Sequence, residues 1–242
     1  MLPILLATSI LVQAPADDYL YEVTLLRAAP GQLLSLIDQL QERMTVYDDA
    51  GDQRPAILRH SQGDHWDLML VQPIGTLAEF HAPPRVQRRL VAENRSGLTN
   101  IEFNERLQRF TSWREETIFA GPPLAEVGPR LRDAGFFHVE MFIALPGRRA
   151  ELLREREMEN EYLRLVGRPE NALFAKRSGG SWDAVTIGFY RDIKHFAESA
   201  DIPADRAQTA ALAAGFEGAD RIGTYLRSLI SGHHDTLATP VR

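Results

Sequence analysis

The chain has 242 residues, no cysteine and a net charge of -6, with 44% hydrophobic and 25% charged residues. That balance fits globular domains with real cores and excludes a disordered or fibrous chain. It also argues against a sequence-independent nucleic-acid binder, which needs clustered lysine and arginine; the missing cysteines remove thiol nucleophiles, thiolate metal sites and disulfides.

Residues 1–16 are expected to form a signal peptide. Leu2 to Val12 is an uncharged apolar run, too short to span a membrane, and Ala14-Pro15-Ala16 supplies the small residues that precede cleavage. The expectation is a periplasmic or secreted protein, cleaved near Ala16, with no integral membrane segment in the mature chain.

Residues 17–120 read as a first structural unit. Tyr19 to Arg27 alternates like a strand, Pro30-Gly31 breaks it, and Leu33, Leu36, Ile37, Leu40, Met44 and Tyr47 recur at helical spacing. Ala56 to His60 and Trp66 to Gln72 read as two strands of a hairpin with Gly63 in the bend. A short helical stretch with Leu77 and Phe80 is stopped by Pro83-Pro84. A longer helix follows, with Ile101, Leu107 and Phe110 as its expected buried positions, and Arg114 to Ala120 is the last strand. The order strand, helix, strand, strand, helix, strand is the ferredoxin-like βαββαβ arrangement.

Gly121 to Gly135, with three prolines, reads as a linker, and residues 136–242 then repeat the first unit. Gly31 and Gly147, Gly51 and Gly167, Trp66 and Trp182, and Phe80 and Phe196 are each 116 apart; after Phe196 the offset becomes 119. An internal repeat of this length implies two copies of one supersecondary unit. The fold class expected is therefore α+β: tandem ferredoxin-like repeats whose sheets close over each other as an intramolecular barrel.

On that basis the more apolar faces of the first strands (Tyr21, Val23, Leu25; Phe137, Val139, Met141) are expected under the helices. The opposite faces would line a cavity shared between the two sheets. The chain resembles the dimeric α+β barrel proteins, and within them the NIPSNAP-like group, in its Pro-Gly helix starts (Pro30-Gly31, Pro146-Gly147), its Gly-x-x-Trp hairpins (Gly63 to Trp66, Gly179 to Trp182) and Ser112-Trp113. The resemblance implies that one chain here makes the barrel that the family usually builds from two.

His138 and Glu140, two apart on one strand, with Glu22 at the position equivalent to His138, are the most suggestive grouping. A histidine flanked by carboxylates can act as a base or a ligand; the plainer alternative is hydrogen-bonded polar residues in a wet interior. The ligand-binding candidates are Glu22, Thr24, His138, Glu140, Thr186, Trp66 and Trp182, with His138 and Glu140 as the best catalytic guesses. Repetition of Trp66-Asp67 as Trp182-Asp183 favours structural work, the tryptophans plugging the barrel and the aspartates capping the hairpins. His233 and His234, adjacent on a strand, point to opposite faces and read as surface residues, so no metal site is expected. Three functions fit: binding a small apolar or amphipathic molecule between the sheets; an oxygenase or isomerase using His138, cofactor-free or with haem, as the resemblance allows; and a structural partner-binding module. Homo-oligomer assembly is left open.

Overall fold

The computed structural model describes residues 18–242, so the expected signal peptide lies outside the described residues. Each half of the chain supplies four strands. These are β1 (Tyr19–Ala28), β2 (Ala56–Gln62), β3 (Leu68–Gly75) and β4 (Thr111–Gly121), then β5 (Phe136–Ala144), β6 (Ala172–Gly179), β7 (Ala184–Tyr190) and β8 (Ile230–Pro240). They close an antiparallel barrel in the order β1-β3-β2-β8-β5-β7-β6-β4. The halves join at two seams, where Arg59 of β2 faces Thr239 of β8 and Phe119 of β4 faces Lys176 of β6.

Two glycines explain why the hairpins sit against those seams. Gly63 and Gly179 both have positive φ, and a Cβ on either would collide with a backbone carbonyl of the neighbouring strand, Asp235 for Gly63 and Glu116 for Gly179. Just beyond them, Asp67 and Asp183 fasten the hairpins to the ends of the first strands: Asp67 accepts the Ala28 N–H at 2.7 Å and Asp183 the Ala144 N–H at 3.0 Å. Trp66 and Trp182 are buried inside the barrel at this end.

The barrel interior holds the driest faces. Tyr21, Val23 and Leu25 pack with Phe137, Val139 and Met141, joined by Met69, Val71, Val185 and Ile187, in one cluster drawn from both halves. The expected orientation of the strands is thus reversed. A closed barrel seals one face from water on every side, whereas a helix layer admits polar groups along its edges, so the more apolar face turns inward. Each such buried large side chain contributes roughly 1.5–3 kcal/mol. A one-residue slip of β1 or β5 would carry Glu22 or Glu140 into this interior, which fixes the register.

The outer faces are covered by helices. On the first half these are α1 (Leu33–Ala50), α2 (Leu77–Phe80), α3 (Pro83–Ser96) and α4 (Asn100–Phe110); Leu26 and Leu68 of the sheet meet Leu36, Leu40 and Leu107. The single long helix expected here is broken at Gly97, and α4 restarts on a capping box in which Thr99 and Glu102 each accept from the other's backbone. Ile101 falls on the outer side of α4 and is 72% exposed, contrary to expectation. The linker is also more structured than its prolines suggest: α5 (Leu124–Asp133) packs Val127 and Leu131 onto the interior cluster, at the barrel end opposite the hairpins. On the second half, α6 (Arg149–Leu165), α7 (Ile193–Ala197), α8 (Ala204–Ala213) and α9 (Ile222–Arg227) follow; Phe142 and Ala184 meet Leu152 and Leu226.

Candidate functional site

Between the first-half sheet and its helices lies a cavity of about 430 Å³. Glu22 and Thr24 of β1 and Gln72 of β3 form its floor, Leu40, Met44 and Tyr47 of α1 one wall, and Phe103 and Leu107 of α4 another. Its roof is held by Arg43, whose guanidinium pairs with Glu93 of α3 at 2.7 Å, donates to the Leu98 carbonyl at 2.9 Å and lies 5.0 Å from the Phe103 ring centre. Glu93 also accepts the first backbone N–H of α4, from Asn100, at 3.0 Å. Asp52 draws in Arg85 and Arg89 at 2.7 and 2.6 Å, and Arg89 stacks on Phe80. Glu93 thus offsets Arg43, whereas Arg85 and Arg89 share the single Asp52 carboxylate; Arg114, paired with Glu116, also lines the hollow.

The floor is different. Burial, reinforced by the nearby Glu116 carboxylate, holds the Glu22 carboxyl above the usual range. Gln72 donates its amide N–H to the Gln53 and Pro73 carbonyls at 2.7 and 3.2 Å, which leaves its buried Oε1 with no donor. Burial also raises the Tyr47 phenol. An apolar-walled hollow with acceptors in its floor is suited to a molecule whose polar end donates hydrogen bonds.

The corresponding face of the second half is filled. Arg156 of α6 lies fully buried against the Phe142 ring, bound by Glu155 through two contacts of 2.6 and 2.7 Å, paired with Glu159, and 3.7 Å from Glu140. Glu140 also receives Thr186 at 3.3 Å and His233 at 3.2 Å, and His233 stacks on Phe142. Burial alone would raise the Glu140 carboxyl, but the His233 hydrogen bond and the Arg156 charge overcome it and hold it low. Burial pushes Glu159 up to about 7, with Glu140 and Glu155 adding repulsion against Arg156. His138 binds Asp235 at 2.6 Å; that contact and the Glu140 charge raise its pKa against the effect of burial.

No protein-family model and no curated protein matches the sequence. Solved structures do match in shape. An anthrone oxidase-like protein shares 14% identity at a TM-score of 0.56, over 93% of this chain and 92% of that one. A candidate monooxygenase from Fusobacterium nucleatum subsp. nucleatum gives 9% and 0.53 over 93% and 94%. A chlorite dismutase variant from Candidatus Nitrospira defluvii gives 11% and 0.50 over 94% and 93%. The fold is the dimeric α+β barrel.

In this α+β barrel the sequence candidates fall into three places rather than one shared cavity. Glu22 and Thr24 line the first-half hollow. His138, Glu140 and Thr186 belong to the second-half ion cluster. Trp66 and Trp182 lie in the interior at the hairpin end. Glu22 and His138 occupy equivalent positions on opposite outer faces, because the side of each strand that carries them turns outward. Sequence reasoning also missed Arg43, Tyr47, Gln72 and Glu93 in the first half and Arg156 in the second. One signal was present: the 116 offset sets Arg156 on Leu40, a position in the buried stripe of α1. His233 and His234 do point to opposite sides of β8, but both are partly buried and engaged rather than loose on the surface.

Haem does not fit these residues in the way the sequence suggested. His138, the proposed axial ligand, has its Nε2 taken by Asp235, and the space under α6 is filled by Arg156 and its carboxylates. The first-half hollow has no histidine among its lining residues.

Proposed function

We propose that the first-half cavity binds a small amphipathic organic molecule with a hydroxylated polar end. The observation that carries this reading is a desolvated carboxyl, Glu22, in the floor of an apolar-walled hollow, with the Gln72 side chain beside it. A ligand hydroxyl donating to Glu22 replaces water lost on entry, while its apolar body covers Leu40, Met44 and Leu107.

The same floor supports a second reading as an enzyme. Its raised pKa poises Glu22 to take a proton from a ring hydroxyl or an activated C–H. The names of two structural neighbours, an anthrone oxidase-like protein and a candidate monooxygenase, favour an oxygenase in which dioxygen is the oxidant. In this reading Glu22 replaces His138 as the base. We further propose a NIPSNAP-like protein of two duplicated ferredoxin-like units, exported by its N-terminal apolar run; cell fractionation checks the last point.

Calorimetric titration with anthrone and with hydroquinone tests the site. Glu22→Gln is expected to weaken binding tenfold or more, about 1.4 kcal/mol, and Leu70→Phe to abolish it by filling the hollow, while His138→Ala leaves it unchanged. Equal weakening by His138→Ala, with no effect of Glu22→Gln, would reject the assignment. Oxygen uptake with the same compounds separates binder from enzyme.

A further inference from the structure

At the hairpin end of the barrel, away from the cavity, a second cluster joins the two halves. Asp64 and His65 lie in the β2–β3 turn and His234 on β8, and one ligand-capable atom from each falls within 4.8 Å of the others. The Asp64 side chain is completely buried. Its Oδ2 accepts the Trp66 indole N–H at 2.9 Å, which fixes the direction of the carboxylate. Its Oδ1 is crowded: the His65 backbone N–H is 2.6 Å away, His65 Nδ1 2.7 Å and His234 Nδ1 2.9 Å.

The third of these contacts is not a good hydrogen bond. His234 Nδ1 is shielded from solvent, and despite its nearness to Asp64 it has no partner in hydrogen-bond direction. A backbone amide and two ring nitrogens bearing protons over-subscribe one oxygen. Two deprotonated ring nitrogens and a carboxylate oxygen around a cation do not. Trp113 packs on His65 and Trp182 on His234, each at 4.6 Å between ring centres, so both imidazoles are held in place by interior tryptophans.

We propose that Asp64, His65 and His234 bind one divalent transition-metal ion of the zinc type, which ties the first-half hairpin to the last strand of the second half. The donor set of two imidazoles and one carboxylate suits such an ion, and the half-exposed rings leave a fourth position to water. Ligand atoms around a tetrahedral ion with bonds of about 2.0–2.2 Å lie roughly 3.3 Å apart, so the two nitrogens must draw back slightly from Asp64 and settle to the same spacing from each other, starting within 4.8 Å. The Trp66 indole is the outer hydrogen bond that orients the carboxylate ligand. The other histidine-carboxylate group, His138, Glu140 and Asp235, is a poor rival, because the Arg156 guanidinium lies 3.7 Å from Glu140 and supplies the positive charge already. At the equivalent place on the other seam stand Gly180, Ser181 and Glu115, with Ser181 N–H and hydroxyl donating to Glu115 at 3.2 and 3.3 Å. There is thus one such site among the described residues.

Titrating metal-free, full-length protein with Zn²⁺ by calorimetry, and with Co²⁺ by visible absorption, is the test. One equivalent should bind, Co²⁺ should show the intense d–d bands of a low-coordinate site, and Tm should rise by roughly 5–10 °C at a hundredfold excess over Kd. His234→Ala and Asp64→Asn should each lower affinity at least tenfold; His233→Ala, the next residue on the same strand but facing the other way, should not. His65 is exposed, so His65→Ala keeps the comparison valid if a buried variant unfolds by circular dichroism. No stoichiometric binding, or equal loss in His233→Ala, overturns the proposal.

Discussion

The two helix-covered faces of the barrel start from equivalent positions and reach opposite ends. Where the first half has Leu40 on its first long helix, the second has Arg156; where it has Thr24 and Gln39, the second has Glu140 and Glu155. Leu40 leaves room for a hollow of about 430 Å³. Arg156, with its longer side chain and its charge, fills that room and gathers three carboxylates around it. The open face and the filled face therefore differ by an aliphatic-to-cationic change at a buried helix position, together with the acids it brings along.

The sharpest way to break this comparison is to remove the plug. Arg156→Met leaves Glu140 and Glu155 buried, and Glu159 partly buried, without their cation and is expected to cost about 3–5 kcal/mol, read as a shift of the urea midpoint. Leu40→Met at the matching position should cost less than about 1.5 kcal/mol. Adding Glu140→Thr, Glu155→Gln and Glu159→Gln to Arg156→Leu should recover most of the loss; no recovery would mean that packing, not charge, holds the second face.

A smaller effect probes what the halves share. Asp67→Ala and Asp183→Ala each remove a carboxylate bond to the end of a first strand and should cost about 1–2 kcal/mol each, with the double variant additive because the sites are far apart. A large effect in one half alone would show that the clamps are not equivalent.

A further effect concerns pH. Glu159 has a folded-state pKa raised from its ordinary 4.5 to about 7, so its stabilising contribution is full below about pH 4.5 and is lost as pH rises through 7. The Tm of the parent protein minus that of Glu159→Gln should fall between pH 5 and pH 8. Glu140, whose pKa is depressed, has the opposite sign, and its contribution is lost on acidification. A difference that stays flat or rises with pH would remove Glu159 from the account.

Much of the strand and helix order was legible because alternation and helical spacing are local signals. Leu36 and Leu40 on α1 and Val139 and Met141 on β5 could be read as buried from their spacing alone. The break at Gly97 and the helix after Pro123 were not, since a capping box at Thr99 and a helix tolerating Pro129 depend on the packing around them. The candidate site was half legible. Glu22, Thr24, His138 and Glu140 stood out as polar residues on strands that are otherwise apolar, but Arg43, which lines the same hollow as Glu22, and Arg156, beside Glu140, lie on helices where a charged residue normally faces water.

The sequence by itself determined the residue matches at an offset of 116, the makeup of each half and the pairs of residues that share a strand face, because these follow from order along the chain. Only the tertiary structure decided which face turned into the barrel and which met the helices. Both faces of β1, β3, β5 and β7 are largely covered, and alternation marks two sides without saying what lies beyond either; that is settled by where water is most completely shut out, which depends on how the strands close.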